Sequence, residues 1–257
     1  MIGFLIKKSF YDSWDNLFRL ASINIGFIAF IAIPVFIPHL LGSVTILSIS
    51  VMVIGILWCF IYFAAASFTV KSVSDYKTFG FKDFTQNLKR AWLPGLIMGG
   101  FAALFVLLIA IAIPFYLSIG SVVGLLLASV VFWTMIVCIV ALQFFLAIVG
   151  RLDGNILKAL RKCFIIFFDN PLFCIFSLIY SVIIIALSTF LGLVFPGPAG
   201  LLLFLDEGLR LRLLKYDYLE ENPEANRKDI PWDTLLIDDR DKTGSRTLRN
   251  FIFPWKY

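Results

Sequence analysis

Apolar positions run without a single Asp, Glu, Lys or Arg through residues 20–70, 91–150 and 170–205. A helix rises 1.5 Å per residue and needs about 20 apolar residues to cross the ~30 Å hydrocarbon layer of a bilayer. The first two blocks are each long enough for two passes. The third holds one full pass and the start of another. The pattern predicts spans at residues 20–41, 44–70, 93–118, 122–149, 171–195 and 199–216, joined as three hairpins. The last differs from the others, because its apolar start gives way to Asp206, Glu207, Arg210 and Arg212. Alone in lipid, each charge costs about 2.5–3.5 kcal/mol near the centre. Inside a bundle, Asp206 and Arg210 stand one turn apart and can neutralise each other. If this segment stays outside, five spans remain and the tail changes sides.

An amphipathic stretch precedes each hairpin. Phe81, Phe84, Leu88 and Trp92 fall on one helical face, while Lys82, Gln86, Lys89 and Arg90 take the others. Ile156, Leu160, Cys163, Phe164 and Phe167 form a second stripe opposite Lys158, Arg161 and Lys162. Phe10, Trp14, Leu17 and Phe18 form a less regular one ahead of Arg19. Such helices lie in the headgroup plane with the basic face toward anionic lipid. Arg19, Arg90 and Arg161 recur at equal spacing, which predicts three copies of one unit: interfacial helix, span, turn, span. The expected fold is all-α, a six-span helical membrane bundle over residues 1–216 with a tail at 217–257.

Composition agrees with lipid as the solvent. Charged residues make up 15% of the chain, against roughly 25% in a soluble domain. Their placement orients the bundle. Lys7, Lys8 and Arg19 precede the first span, and Lys71, Lys77, Lys82, Lys89 and Arg90 outweigh Asp75 and Asp83 in the next segment. Arg151, Lys158, Arg161 and Lys162 do the same against Asp153 and Asp169. Short basic loops are retained in the cytoplasm, so both termini are expected there. Pro34, Pro114 and Pro196 stand in the uncharged turns and are expected to end the odd-numbered spans. A cleaved leader is not expected, because the first apolar run follows Trp14, Asp15 and Arg19 and has no small-residue cleavage pattern.

Candidate chemistry is sparse. Ionisable groups at membrane depth are functional hypotheses by default, so Asn24, Gln143, Asp206, Glu207 and Arg210 are candidate lining of a polar, inward-open cavity. The competing reading makes Asp206–Arg210 a span end with snorkelling side chains, and Asn24 and Gln143 interhelical glue. His39 is the only histidine and is expected in a solvated turn. The isolated cysteines Cys59, Cys138, Cys163 and Cys174 lack metal-ligand spacing. No metal, cofactor or catalytic residue is expected, and Walker, GxGxxG, HExxH and GxSxG patterns are absent. Gly95/Gly99 and Gly120/Gly124 match GxxxG and are read as close helix packing or a turn. In the tail, residues 217–241 look like an acidic, solvated connector. Lys242, Arg246, Arg249 and Lys256 alternate with Phe251, Phe253 and Trp255, a pattern that suits docking on lipid or on a protein partner. Four charges form too small a patch for nucleic acid.

Three segments carry a resemblance: Asp15-Asn-Leu-Phe-Arg-Leu-Ala-Ser-Ile-Asn-Ile; Phe79-Gly-Phe-Lys-Asp-Phe-Thr-Gln-Asn-Leu-Lys-Arg-Ala-Trp92; and Ile156-Leu-Lys-Ala-Leu-Arg-Lys followed by Asp169-Asn-Pro-Leu. Together they resemble the bacterial YesL-like membrane proteins, over about residues 4–216. The same helix-then-span unit is similar to membrane domains attached to some glycerophosphodiester phosphodiesterases. The resemblance implies a six-span protein of the bacterial cytoplasmic membrane, often encoded beside carbohydrate-uptake genes, with no catalytic residues to carry over. The Pro34-Val-Phe-Ile-Pro-His39 turn departs from the Thr/Gly-rich turn of that family, and the tail is an addition. The expectation is a non-enzymatic accessory or scaffold protein beside a membrane transporter. The alternative is a small transporter or solute-binding subunit using the polar cavity.

Overall fold

The computed structural model describes residues 1–40, 45–152, 154–227, 229–244 and 246, apart from the side chains of His39 and Thr45. Among the described residues every regular element is helical. In chain order they are α1 (Ile2–Asp15), α2 (Leu17–Leu40), α3 (Thr45–Ser74) and α4 (Phe81–Leu107). A wider π-helical turn (Leu108–Ala112) carries α4 into α5 (Ile113–Ser118). Then come α6 (Val122–Leu142), α7 (Phe145–Arg151), α8 (Ile156–Asp169), α9 (Pro171–Phe190) and α10 (Gly197–Glu221). The short α11 (Trp232–Leu235) and α12 (Ile237–Thr243) follow.

Among the described residues, five stretches are long and apolar enough to cross a membrane: Leu17–Pro38, Ile46–Ser74, Phe81–Ser118, Val122–Arg151 and Pro171–Phe190. No more than a third of any of their most apolar windows is buried within the fold. Ile46, Ile54, Val106, Val122 and Trp133 are among the large side chains left facing outward. A soluble chain rarely exposes so continuous an apolar surface, so this is a membrane protein. α10, expected as the sixth span, forms one helix but carries Asp206, Glu207, Arg210, Arg212 and Lys215. It is not among the five.

α10 is instead the hub. It packs on α1, α2, α3, α7 and α9, and Leu203, Phe204, Leu209 and Leu211 are fully buried. At Gly208 an added Cβ would lie 3.2 Å from Phe173, so the smallest residue sits where neighbours press close. α3 and α4 cross more tightly still. A Cβ on Gly95 would come within 2.6 Å of the Ile61 backbone, and Gly99 faces the Phe60 ring. This glycine pair serves a contact inside the chain. Gly120, at φ +65°, and Gly124, whose Cβ would lie 2.4 Å from the Tyr116 carbonyl, form the α5–α6 turn.

Two expectations about helix ends are corrected. Pro34 and Pro38 lie inside α2, and Pro34 does not end the span. Lipid-embedded helices tolerate proline when neighbours fit around it, and here Gly55 of α3 leaves room for the Pro34 ring. Pro114 and Pro196 open α5 and α10. The π-helical turn just before Pro114 relieves the clash of its ring with the preceding turn.

The three amphipathic stretches also diverge. α8 is a separate helix with Ala159, Cys163 and Ile166 buried. The second stretch is not a separate interfacial helix, because α4 runs from Phe81 through Trp92 into the span without a break. α1 is separate, but its polar side faces inward. Lys8, Ser9, Asp12 and Ser13 are buried, while Trp14 is exposed. Leu17 and Phe18 belong to α2, so the expected first stripe does not lie on one helix.

Candidate functional site

The inward-facing charges of α1, α7 and α10 meet in one layer at the basic end of the bundle. Arg151, the last residue of α7, donates from Nε to Asp206 Oδ1 at 2.8 Å and from Nη2 to Asp206 Oδ2. The same guanidinium reaches Asp75 Oδ1 at 2.9 Å and Ser74 Oγ at 2.8 Å. Four planar donors on one side chain suit a site with several oxygens. Arg210, one turn after Asp206, turns to Asp239 of α12 at 2.9 Å and to Asp75 at 3.7 Å. The expected Asp206–Arg210 pair is therefore replaced by two pairs with other helices.

Beside them, the fully buried Lys8 ammonium contacts Asp12, lies 3.4 Å from Glu207 Oε1 and 3.4 Å from the Ser74 carbonyl, and sits 4.0 Å over the Tyr76 ring. Burial pulls the Lys8 pKa down, but Glu207 and Asp12 outweigh that and hold it above the ordinary lysine value. Tyr76 follows α3 at φ +56°. Its hydroxyl donates to Asp239 Oδ1 at 2.8 Å, and its ring also lies within 5.4 Å of Arg210 and 4.9 Å of Lys242.

The candidate cavity residues are not gathered around one open space. Asn24, fully buried on α2, is a latch on the α9–α10 turn. Its Nδ2 donates to the Val194 and Pro196 carbonyls, both at 2.9 Å, and its Oδ1 accepts the Ala199 N–H at 2.8 Å. Gly197 passes so close that a Cβ would lie 2.2 Å from Asn24 Nδ2. Gln143, between α6 and α7, donates to the Val140 carbonyl at 2.7 Å and the Cys174 carbonyl at 2.8 Å. It faces two apolar crevices of about 240 and 200 Å³. Asn24→Ala is expected to cost about 1–3 kcal/mol, because it strands buried carbonyls and an N–H. Thermal unfolding of the detergent-solubilised protein measures this, and an unchanged melting temperature refutes the latch.

A second polar cluster pins the far end of α10. Asp169 Oδ2 accepts from Lys215 Nζ, Tyr216 OH and Asn170 Nδ2, each at 2.9 Å. Partial burial pushes the Asp169 carboxyl up, but the Lys215 and Tyr216 donors outweigh it and hold its pKa below the ordinary value. A depressed folded-state pKa stabilises above the unfolded carboxyl's value, about 4, and that contribution is lost as pH falls through the folded one. The melting temperature is expected to fall less steeply between about pH 5 and pH 3 in Asp169→Asn than in the wild type. Equal acid slopes would refute the assignment.

The tail does not begin as a solvated connector. Leu236 is fully buried, Asp239 is nearly so, and Lys7 Nζ donates to the Gly244 carbonyl at 2.9 Å. Arg246 grips Asp15 at 2.9 Å and lies 4.7 Å from the Tyr11 ring. Two of the expected docking residues, Lys242 and Arg246, are thus engaged within the fold. Arg249, Phe251, Phe253, Trp255 and Lys256 lie outside the described residues. Arg19, Lys82, Lys89, Arg90, Lys158 and Arg161 are exposed, and Lys162 is half-buried.

Sequence reasoning missed Lys8, Asp12, Asp75, Tyr76, Arg151 and Asp239 as partners of the α10 charges. A signal was present: Arg151 and Asp206 are the first charges after two charge-free blocks, and opposite charges so placed seek each other. Among the described residues, no three His, Cys, Asp or Glu side chains come together to hold a metal ion. The arrangement can clamp helices. No family model, curated protein or solved structure matches the chain.

Proposed function

We propose that the chain is a non-enzymatic accessory or scaffold protein of a bacterial cytoplasmic membrane, working beside a transporter, with six spans and both termini in the cytoplasm. The observation that carries this reading is the pairing of the α10 charges with charges on other helices. Asp206 is held by Arg151, Glu207 faces Lys8, and Arg210 is bound to Asp239. A carrier would need some of these groups free to meet a solute, and an enzyme would need a reactive pair. A rigid basic face above an apolar belt suits holding something else in place. The resemblance to YesL-like proteins, often encoded near carbohydrate-uptake genes, supports a sugar transporter as the neighbour.

In native membranes, loss of the protein is expected to lower the neighbouring transporter's uptake, while the purified chain alone in vesicles moves no sugar. Uptake by the chain alone would overturn the accessory role. Reporter fusions after Pro38 and Tyr116 should lie outside, and those at Lys82 and Asn222 inside. An external reporter at Asn222 would reduce the spans to five.

A further inference from the structure

A cleft of about 380 Å³ opens between the last turn of α3, the turn that follows it and the first turns of α4. Its walls are polar, unlike the apolar crevices elsewhere in the bundle. Three cations border it: Lys71, Lys77 and Arg90. Two carboxylates share its wall, each with one oxygen engaged. Asp75 Oδ1 takes the Arg151 guanidinium at 2.9 Å, and Asp83 Oδ2 accepts the Gly80 N–H at 2.8 Å. Lys71 uses one donor on the Gly150 carbonyl at 2.9 Å and keeps two. The side chains of Lys77 and Arg90 have no ionic or hydrogen-bonded partner among the described residues.

We propose that this cleft binds a phosphate group. Lys71, Lys77 and Arg90 bring more donors together than a carboxylate's two oxygens can use, whereas a tetrahedral phosphate presents oxygens to several cations at once. The depth is right for a lipid headgroup, since Lys71 is the first charge after the apolar run that ends at Val70 and anionic headgroups gather beside such basic residues. A small soluble phosphate offers the same chemistry. The proposal concerns one site and stands apart from the accessory role.

Full-length protein in non-ionic detergent, titrated with phosphatidylglycerol or phosphatidylcholine and read by native mass spectrometry, tests this. Phosphatidylglycerol is expected to bind the wild type more tightly than phosphatidylcholine. Lys77→Gln/Arg90→Gln should weaken it by about tenfold or more, the effect of losing charge-assisted contacts. Arg227→Gln/Arg240→Gln, which removes two exposed charges from the tail, should retain it. If inorganic phosphate competes, or binds where phosphatidylglycerol does not, the ligand is a soluble phosphate. Without competition it is the headgroup, and either result upholds the site. Equal binding by the Lys77/Arg90 variant, equal loss in the control, or no binding of either probe overturns it. Both substituted side chains are exposed, and an unchanged melting temperature separates lost binding from lost folding.

Discussion

Replacing Arg151 by methionine is expected to lower stability by about 3–5 kcal/mol, the cost of removing one partner from a buried ion pair. Asp206 is 1% exposed and Arg151 only 9%, so water cannot take over the lost bonds. Arg210 cannot take them over either while it is bound to Asp239. The variant leaves Asp206 without a cation and Asp75 with only the longer contact to Arg210. Arg151→Lys should fall between, because one ammonium cannot span Asp206, Asp75 and Ser74 in the fork that the guanidinium makes. The double variant Arg151→Met/Asp206→Leu should recover much of the loss, since removing both partners leaves no stranded charge. Thermal melting in detergent, followed by the monodisperse fraction, reads all three. If Arg151→Met melts within about 1 kcal/mol of wild type, the charged layer does not hold α10 in place.

The spans were legible because lipid leaves so little freedom. A helix that meets hydrocarbon on most sides must be apolar on most sides, and composition alone then marks it. Helix ends were less legible. Pro34 reads as a stop in water, yet α2 runs through it because Gly55 makes room on α3. The span expected to begin at Leu93 belongs to a helix that starts at Phe81 and runs through Pro94 to Leu107. The partners of the α10 charges were hidden for another reason. The nearest cation to Asp206 along its own helix is Arg210, and spacing rules report only such local neighbours. Which side of α10 faces α7, and which faces α12, is decided by packing between distant segments. The inward turn of the polar side of α1 was hidden in the same way, because α1 covers Glu207 and not lipid alone. The tail looked solvated from its acidity, although Asp239 is drawn in by Arg210 and Tyr76.

Lys8→Met is expected to be nearly as damaging as loss of Arg151, while Glu207→Gln should be close to neutral. The asymmetry follows from the balance of charge. Among the described residues Lys8 is the one cation in contact with both Asp12 and Glu207, and without it two buried carboxylates face each other with nothing between. Like charges in a low-dielectric site repel strongly, so the cost should again reach about 3–5 kcal/mol. Glu207 is different. Among the described residues neither of its oxygens accepts from an N–H or hydroxyl donor, and its contact with Lys8 is long at 3.4 Å. Asp12, Asp75, Asp206, Glu207 and Asp239 also outnumber the cations Lys8, Arg151 and Arg210 paired with them. Making Glu207 neutral removes an excess negative charge and leaves the stronger Lys8–Asp12 pair intact, so the change should stay within about 1 kcal/mol. Glu207→Gln should also lessen the damage of Lys8→Met when the two are combined, because only Asp12 then lacks a cation. If Glu207→Gln instead destabilised as much as Lys8→Met, Glu207 would be a full partner in the layer, and surplus negative charge could not explain its loose hold.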